Sequence, residues 1–393
     1  MAEAPWAEAA VAATDEPQKG GALAALLQAA LALPVLALPV RAAAADVGEI
    51  GFAVLGYKER GLMKISEPLA WARVEIGDNW TLSGSALVDI ITGASPELVS
   101  NESGSPMRTV TGASISDRRT AGDVKLTRRF GGLSLSASRA VSNEEDYRSR
   151  AFGLEAALEL EGKLTTFNAG YGKSNDRVRS ADDPLLDERR DTKEYLLGAT
   201  QVLSPTDVVQ STLQWSRGKG YYNDPYKGTL TFYPGADLPV LLPDTRPSSR
   251  NSLAWLTRLR HHVPGHGTLQ ASYRYFHDDW GISAHTFEVA WEAALSESWS
   301  LRPALRYYTQ SSADFYGRVV PQPPPEALSS DQRLAAFGGL SPSLRATWRW
   351  ESLTFEATAG YYYNAANLRP GGGEAGFVPL RAYYGLASVV KTF

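Results

Sequence analysis

The segment RHHVPGHG brings three imidazoles, His261, His262 and His266, close together in the chain. Neutral imidazole nitrogens ligate transition metals, so the cluster is a candidate metal site. The competing reading is a solvated turn, because side chains this near in sequence with Pro264 between them converge on one ion only in a favourable geometry. His277, Asp278 and Asp279 with His285 offer an acid–base pair. No nucleophile or oxyanion donor accompanies them, and an exposed loop is the simpler reading. The segment from Ser174 to Asp191 mixes Asp182, Asp183, Asp187, Glu188 and Asp191 with Arg177, Arg179, Arg189 and Arg190. Carboxylates suit calcium and arginines suit the phosphates of lipopolysaccharide, while a soluble surface loop is the alternative. There is no G-x-S-x-G, no H-E-x-x-H and no phosphate-cradling glycine loop. The expectation is a protein that is not an enzyme and needs no cofactor.

The elements that must carry these side chains are strands. In LRATWRWESLTFEATAGYYY, Leu344, Ala346, Trp348 and Trp350 alternate with Arg345, Thr347 and Arg349, and Leu353, Phe355 and Ala357 alternate with Thr354, Glu356 and Thr358. A period of two means an extended strand with one apolar and one polar face. Elsewhere Phe152, Leu154 and Leu158 oppose Glu155 and Glu159, Phe287, Val289 and Trp291 oppose Glu288 and Glu292, and Trp299, Leu301 and Leu305 oppose Arg302 and Arg306. Charges at alternate positions exclude a dry interior on that face. The apolar face is therefore expected to meet lipid, and the charged face a watery lumen.

Composition agrees. The chain has 393 residues with 35 Gly, 18 Tyr, 10 Trp, 12 Phe and no Cys, and a formal net charge of -4. Many aromatics suit membrane interfaces, the lack of Cys removes disulfides and thiolate metal sites, and near-neutral charge argues against nucleic acid as a partner.

Tight turns fall at Gly77 to Asn79, Gly131-Gly132, Glu161-Gly162, Ser204 to Asp207, Val263 to Gly267, Ser296 to Ser298 and Glu351-Ser352. They carry the residues such turns prefer. Longer polar connections alternate with them at 92–122, 143–149, 173–192, 218–250, 278–282, 311–338 and 364–381. With a first strand near Gly48 to Tyr57 and a last from Ala382 to Phe393, the pattern predicts an all-β, transmembrane, antiparallel up-and-down β-barrel of about sixteen strands, with short periplasmic turns and long extracellular loops. Two strands match poorly: Asp123 to Phe130 sends Arg128 outward, and Lys193 to Leu203 alternates loosely.

Register assigns the lumen charges. About the Ser296 to Ser298 turn, Glu292 should face Arg302 and Glu288 should face Arg306, and about Glu351-Ser352 Glu356 should face Thr347 between Arg345 and Arg349. Arg258 and Arg274 also point inward. The strand of Glu155 and Glu159 lies about eight strands before that of Arg345 and Arg349, which sets an acidic wall across from a basic one. The connection from Gly218 to Arg250 holds Tyr226, Phe232, Leu238 and Leu241, too apolar for a free linker, and is expected to narrow the mouth or to pack on neighbouring loops or a subunit.

The apolar run from Gly21 to Val40, broken by Pro34 and Pro39 and followed by Ala42 to Ala45, reads as a signal peptide over 1–45 ahead of a barrel over 46–393. A membrane anchor is the alternative. Its start is unusually acidic, as an upstream start codon would make it.

YKERGLMKISEP, Tyr57 to Pro68, and VDIITGASP, Val88 to Pro96, resemble the domain of unknown function 3570 family of Gram-negative bacteria. The likeness extends over most of the chain after the leader, and Asp89 with Gly93 to Pro96 is its most specific part. The resemblance implies an exported outer-membrane barrel, accompanied by a thiol-redox protein, a small lipoprotein and a flavin transferase. No functional residues come with it.

Together these readings predict a protein of the Gram-negative outer membrane, set in lipid and lipopolysaccharide, that forms a porin-like channel for small polar or charged solutes. The alternatives are a plugged barrel that docks a periplasmic redox protein, lipoprotein or export partner, and an outer-membrane enzyme.

Overall fold

The computed structural model describes residues 48–60, 63–93, 96–100, 107–110, 115–231, 240–317 and 325–393. The leader expected over 1–45 lies outside them, as do Phe232 and Leu238. The strands are β1 (Gly48–Glu59), β2 (Met63–Ile76), β3 (Trp80–Gly93), β4 (Pro96–Ser100), β5 (Met107–Val110), β6 (Ile115–Phe130) and β7 (Leu133–Asn143). Next come β8 (Tyr147–Glu159), β9 (Thr165–Arg179), β10 (Asp187–Val202), β11 (Asp207–Gly220), β12 (Gly228–Thr231), β13 (Val240–Pro243) and β14 (Ser249–Val263). The last are β15 (Gly267–Asp278), β16 (Ser283–Ala294), β17 (Trp299–Gln310), β18 (Phe337–Trp350), β19 (Leu353–Ala365) and β20 (Leu380–Thr392).

Sixteen of these strands close an antiparallel barrel, while β4 with β5 and β12 with β13 form hairpins inside two connections. Closure joins β1 to β20 from Glu49 opposite Thr392 to Glu59 opposite Ala382. Gly48 and Phe393 extend the seam with reciprocal backbone bonds of 2.9 and 3.0 Å. No edge is left unpaired, which is the condition for burying a sheet in lipid. Among the described residues no helix is long and apolar enough to cross a membrane.

The seven tight turns join the strand pairs expected of them. Gly131 sits at φ 63, where a side chain is disfavoured, and Glu351 adopts φ 52 despite its Cβ. Several strands run further than the alternation suggested. The connection read as 173–192 shrinks to 180–186, because β9 and β10 continue past the apolar band with Arg177 paired to Asp187 and Asn175 to Asp191. Likewise β6 begins at Ile115. Polar residues keep a strand paired once the ladder exists, so the loss of apolar alternation marks the edge of the band and not the end of the strand.

Large apolar side chains cover the outside: Phe52, Leu82, Val124, Phe152, Leu154, Leu197, Leu213, Val289 and Leu305 are all exposed. Aromatics gather at both margins. Trp299, Trp348, Trp350 and Phe355 stack near the turn end. Tyr171, Tyr195 and Trp215 form a row nearer the loop end, with Tyr195 stacked on Trp215 and tilted against Tyr171. Arg128 does face outward, with its guanidinium 4.9 Å from the Trp80 ring and 4.6 Å from that of Phe130. A cation–π contact at an interface lets it keep its charge there.

Candidate functional site

Strand parity builds the lumen wall. The outward positions of Phe152 and Leu154 send Glu155 and Glu159 inward, and the register of β14 to β19 sends Arg258, Arg274, Glu288, Glu292, Arg302, Arg306, Arg345, Arg349 and Glu356 inward. In the barrel order β18 stands eight places from β8, so Arg345 and Arg349 lie across the lumen from Glu155 and Glu159. On β3 to β10 the inward acids Asp89, Asp123, Glu155, Glu159, Asp176 and Glu194 exceed Arg119, Lys125, Arg129 and Arg190. On β14 to β19 the balance reverses, with Arg258, Arg260, Arg274, Arg302, Arg306, Arg345 and Arg349 against Glu288, Glu292 and Glu356.

Local partners differ in part from simple register. Glu288 stands opposite Arg306, and Glu356 stands opposite Thr347, whose hydroxyl donates to it at 3.3 Å. Arg302, however, does not pair with Glu292. It donates to Gln270 at 2.9 Å and reaches diagonally to Glu288 at 3.4 Å, while Gln270 donates to Glu292 at 3.3 Å. A long guanidinium reaches past its direct neighbour to a diagonal acceptor. Across the lumen Glu155 is held by Lys125, and Asp176 accepts from both Arg190 and Ser149.

The loop end closes partly over this lumen. Gln310 points inward from the end of β17 and donates to the carbonyls of Arg333 and Ala335 at 3.0 and 2.7 Å, which draws the β17–β18 connection against the inner wall. A short 3₁₀ turn, Gln332–Leu334, lies there, capped by the Asp331 side chain. Around it Ala284, Tyr308, Ala335, Phe337 and Phe377 form one apolar cluster, and Trp280, Ile282, Ala313 and Leu334 a second.

The Gly218 to Arg250 connection clamps that segment from above. Ser330 donates to the Gly228 carbonyl and Thr245 bridges to Leu328, while Tyr226 ties the same connection to the β7–β8 loop by donating to Asp146 at 2.5 Å. Leu241 lies in β13, paired with Leu230. What rests on the inner wall is thus the stretch from Arg333 to Ala335, while Leu328, Ser330 and Asp331 before it are held by the longer connection.

The remaining candidates are dispersed. His261 pairs with Asp207 at 2.7 Å, His262 with Thr268 at 3.1 Å and His266 with the Pro264 carbonyl at 3.0 Å. Among the described residues no group of three or more His, Cys, Asp or Glu is placed to hold a metal ion. Asp278 is buried against Arg250, whereas His277 and His285 point outward to Ser283 and Tyr273. Sequence reading passed over Glu194, which is buried on the inner wall with Oε2 lacking a hydrogen-bond partner. Register carried up from the Ser204 to Asp207 turn would have placed it, since Tyr195 and Leu197 are the outward residues beside it.

No curated protein matches this sequence. Among solved structures, CdiB from Acinetobacter baumannii is similar with a TM-score of 0.49 and 8% identity, over 89% of this chain and 61% of that one. A bacterial polysaccharide outer membrane secretin gives 0.48 and 11%, over 89% and 100% of the two chains. The siderophore receptor PirA from Pseudomonas aeruginosa gives 0.47 and 8%, over 88% and 62%. The chain thus spans about three-fifths of the length of CdiB and of PirA. A family model described as "Protein of unknown function (DUF3570)" matches residues 23–188 and 179–380, and the chain belongs to that family.

Proposed function

We propose that the protein is an outer-membrane channel for small polar or charged solutes whose mouth is narrowed by its own loops. The observation that carries this reading is the division of charge around the lumen of a closed barrel, with Glu155 and Glu159 on one wall and Arg345 and Arg349 on the opposite one. Low-dielectric walls focus such a field and orient a dipolar or charged solute passing between them.

The outer surface supports the membrane setting. From Tyr195 to Leu203, the residue just after β10, the outward side chains run about 26 Å along the strand and about 20 Å along the barrel axis after tilt, close to the height of a lipid-facing band. Directly beyond the Tyr171, Tyr195 and Trp215 row, Lys173 stands opposite Lys193 and Lys193 opposite Arg217, all exposed. Like charges in direct register repel unless an anion lies among them. Lipopolysaccharide phosphates would serve, which sets the loop end outside the cell and the turn end in the periplasm. The chain acts by conduction and not by catalysis.

Planar-bilayer recording of the refolded protein tests this. Stepwise ionic current is the expected result. A folded but silent barrel would favour the second reading, a plugged scaffold for a periplasmic redox protein or lipoprotein, which the apolar clusters packed in the mouth favour.

A further inference from the structure

The basic wall contains a row of three donors on neighbouring strands. Arg302 on β17 stands directly opposite Arg345 on β18, and Arg345 stands directly opposite Thr358 on β19. All three share the inward face. Two cations in direct register are unfavourable by themselves, and burial deepens the repulsion by thinning the water between them. Arg345 is only 9% exposed. Its Nε and the Thr358 hydroxyl are both buried without a hydrogen-bond partner.

Nearby carboxylates do not fill the gap. Glu288 is engaged by Arg302 at 3.4 Å, and Glu356 accepts from Thr347 at 3.3 Å. Glu292 takes its bond from Gln270. Buried donors left in this way are costly, and the group that satisfies two guanidiniums and a hydroxyl together is an acceptor-only oxyanion.

We propose that Arg302, Arg345 and Thr358 form a binding site for the carboxylate or phosphate group of an anionic solute in the lumen. The proposal rests on the reading of that lumen as open to solutes, and it names their class. The guanidinium of Arg345 supplies charge and the Nε–H, Thr358 supplies a neutral donor beside it, and Arg302 supplies a second charge while anchored to Gln270 and Glu288. The site lies across from Glu155, so an anion is drawn to one wall and away from the other.

The test is titration of the refolded barrel, in detergent at low ionic strength, with inorganic phosphate and separately with acetate, read by calorimetry and by the shift in thermal unfolding. Saturable binding of either anion is expected, and which one binds tighter assigns the solute's head group. Arg345→Gln should weaken it about tenfold or more and Thr358→Val severalfold, whereas Arg128→Gln, on the outer surface, should leave it unchanged. If Arg345→Gln does not fold, Thr358→Val, which removes only a hydroxyl, carries the same test. No saturable binding to the wild-type barrel, or equal binding by a folded Arg345→Gln or Thr358→Val variant, overturns the site. Binding that persists in a barrel passing no current would support the site and sink the channel reading instead.

Discussion

Arg246 Nη2 lies 3.0 Å from Asp331 Oδ2, and this buried ion pair ties together two connections whose residues stand 85 apart in the chain. Arg246 also holds Asp244 at 2.6 Å, and Arg333 reaches both Asp331 at 2.7 Å and Asp224 at 2.6 Å. One carboxylate thus knots the clamp from above to the segment on the inner wall. Removing one member of a buried pair strands its partner at a cost of about 3–5 kcal/mol. Asp331→Ala is expected to loosen the mouth while the barrel stays closed. Single-channel conductance should rise and limited proteolysis should cut within 325–336. If neither changes in a folded variant, the pair does not hold the mouth.

The latch should also resist acid. Burial pushes the Asp331 carboxyl up, but the guanidiniums of Arg333 and Arg246 outweigh it and hold the group well below the usual carboxylate range. A carboxylate lowered in this way contributes stability that is fully present above its unfolded value, near 3.9, and is lost only as pH falls through its folded value. The latch should therefore stay shut from pH 7 to about pH 4, with limited proteolysis cutting 325–336 no faster across that range. Opening near pH 5 would mean that another group controls the mouth.

The lumen field predicts ion preference. Replacing Arg345 and Arg349 together by Glu should shift the reversal potential toward cations. The shift should shrink between 0.1 and 1 M salt, as the Debye length falls from about 10 to about 3 Å. A folded, conducting double variant with unaltered preference would make these charges structural only.

The outer cationic row predicts lipid binding. Each basic residue at an anionic membrane surface contributes roughly 1 kcal/mol, so Lys173→Glu, Lys193→Glu and Arg217→Glu together should cut lipopolysaccharide affinity at least a hundredfold. Vesicles with and without lipopolysaccharide give the readout. Equal retention by the triple variant and the wild type would remove that surface from the proposal.

By itself the sequence determined the barrel. A period of two with Glu288 and Glu292 on the face opposite Phe287, Val289 and Trp291 calls for a sheet with apolar solvent outside and polar solvent inside, and short turns such as Glu351-Ser352 carry that parity from strand to strand. Parity also placed in register pairs such as Glu288 with Arg306. It could not choose the partner of Arg302, because a long side chain reaches several acceptors, and the direct pairing with Glu292 is interrupted beside Pro303, which has no N–H to give the ladder. Nor could it foresee the mouth. Whether Gln310 would meet water or the carbonyls of Arg333 and Ala335 depends on loops that have no repeating pattern, and their packing is decided by contacts between residues far apart in the chain. Periodicity is a local property and survives in one dimension; the packing of Trp280, Asp331 and Phe377 at the loop end is long-range, and only the tertiary structure could decide it.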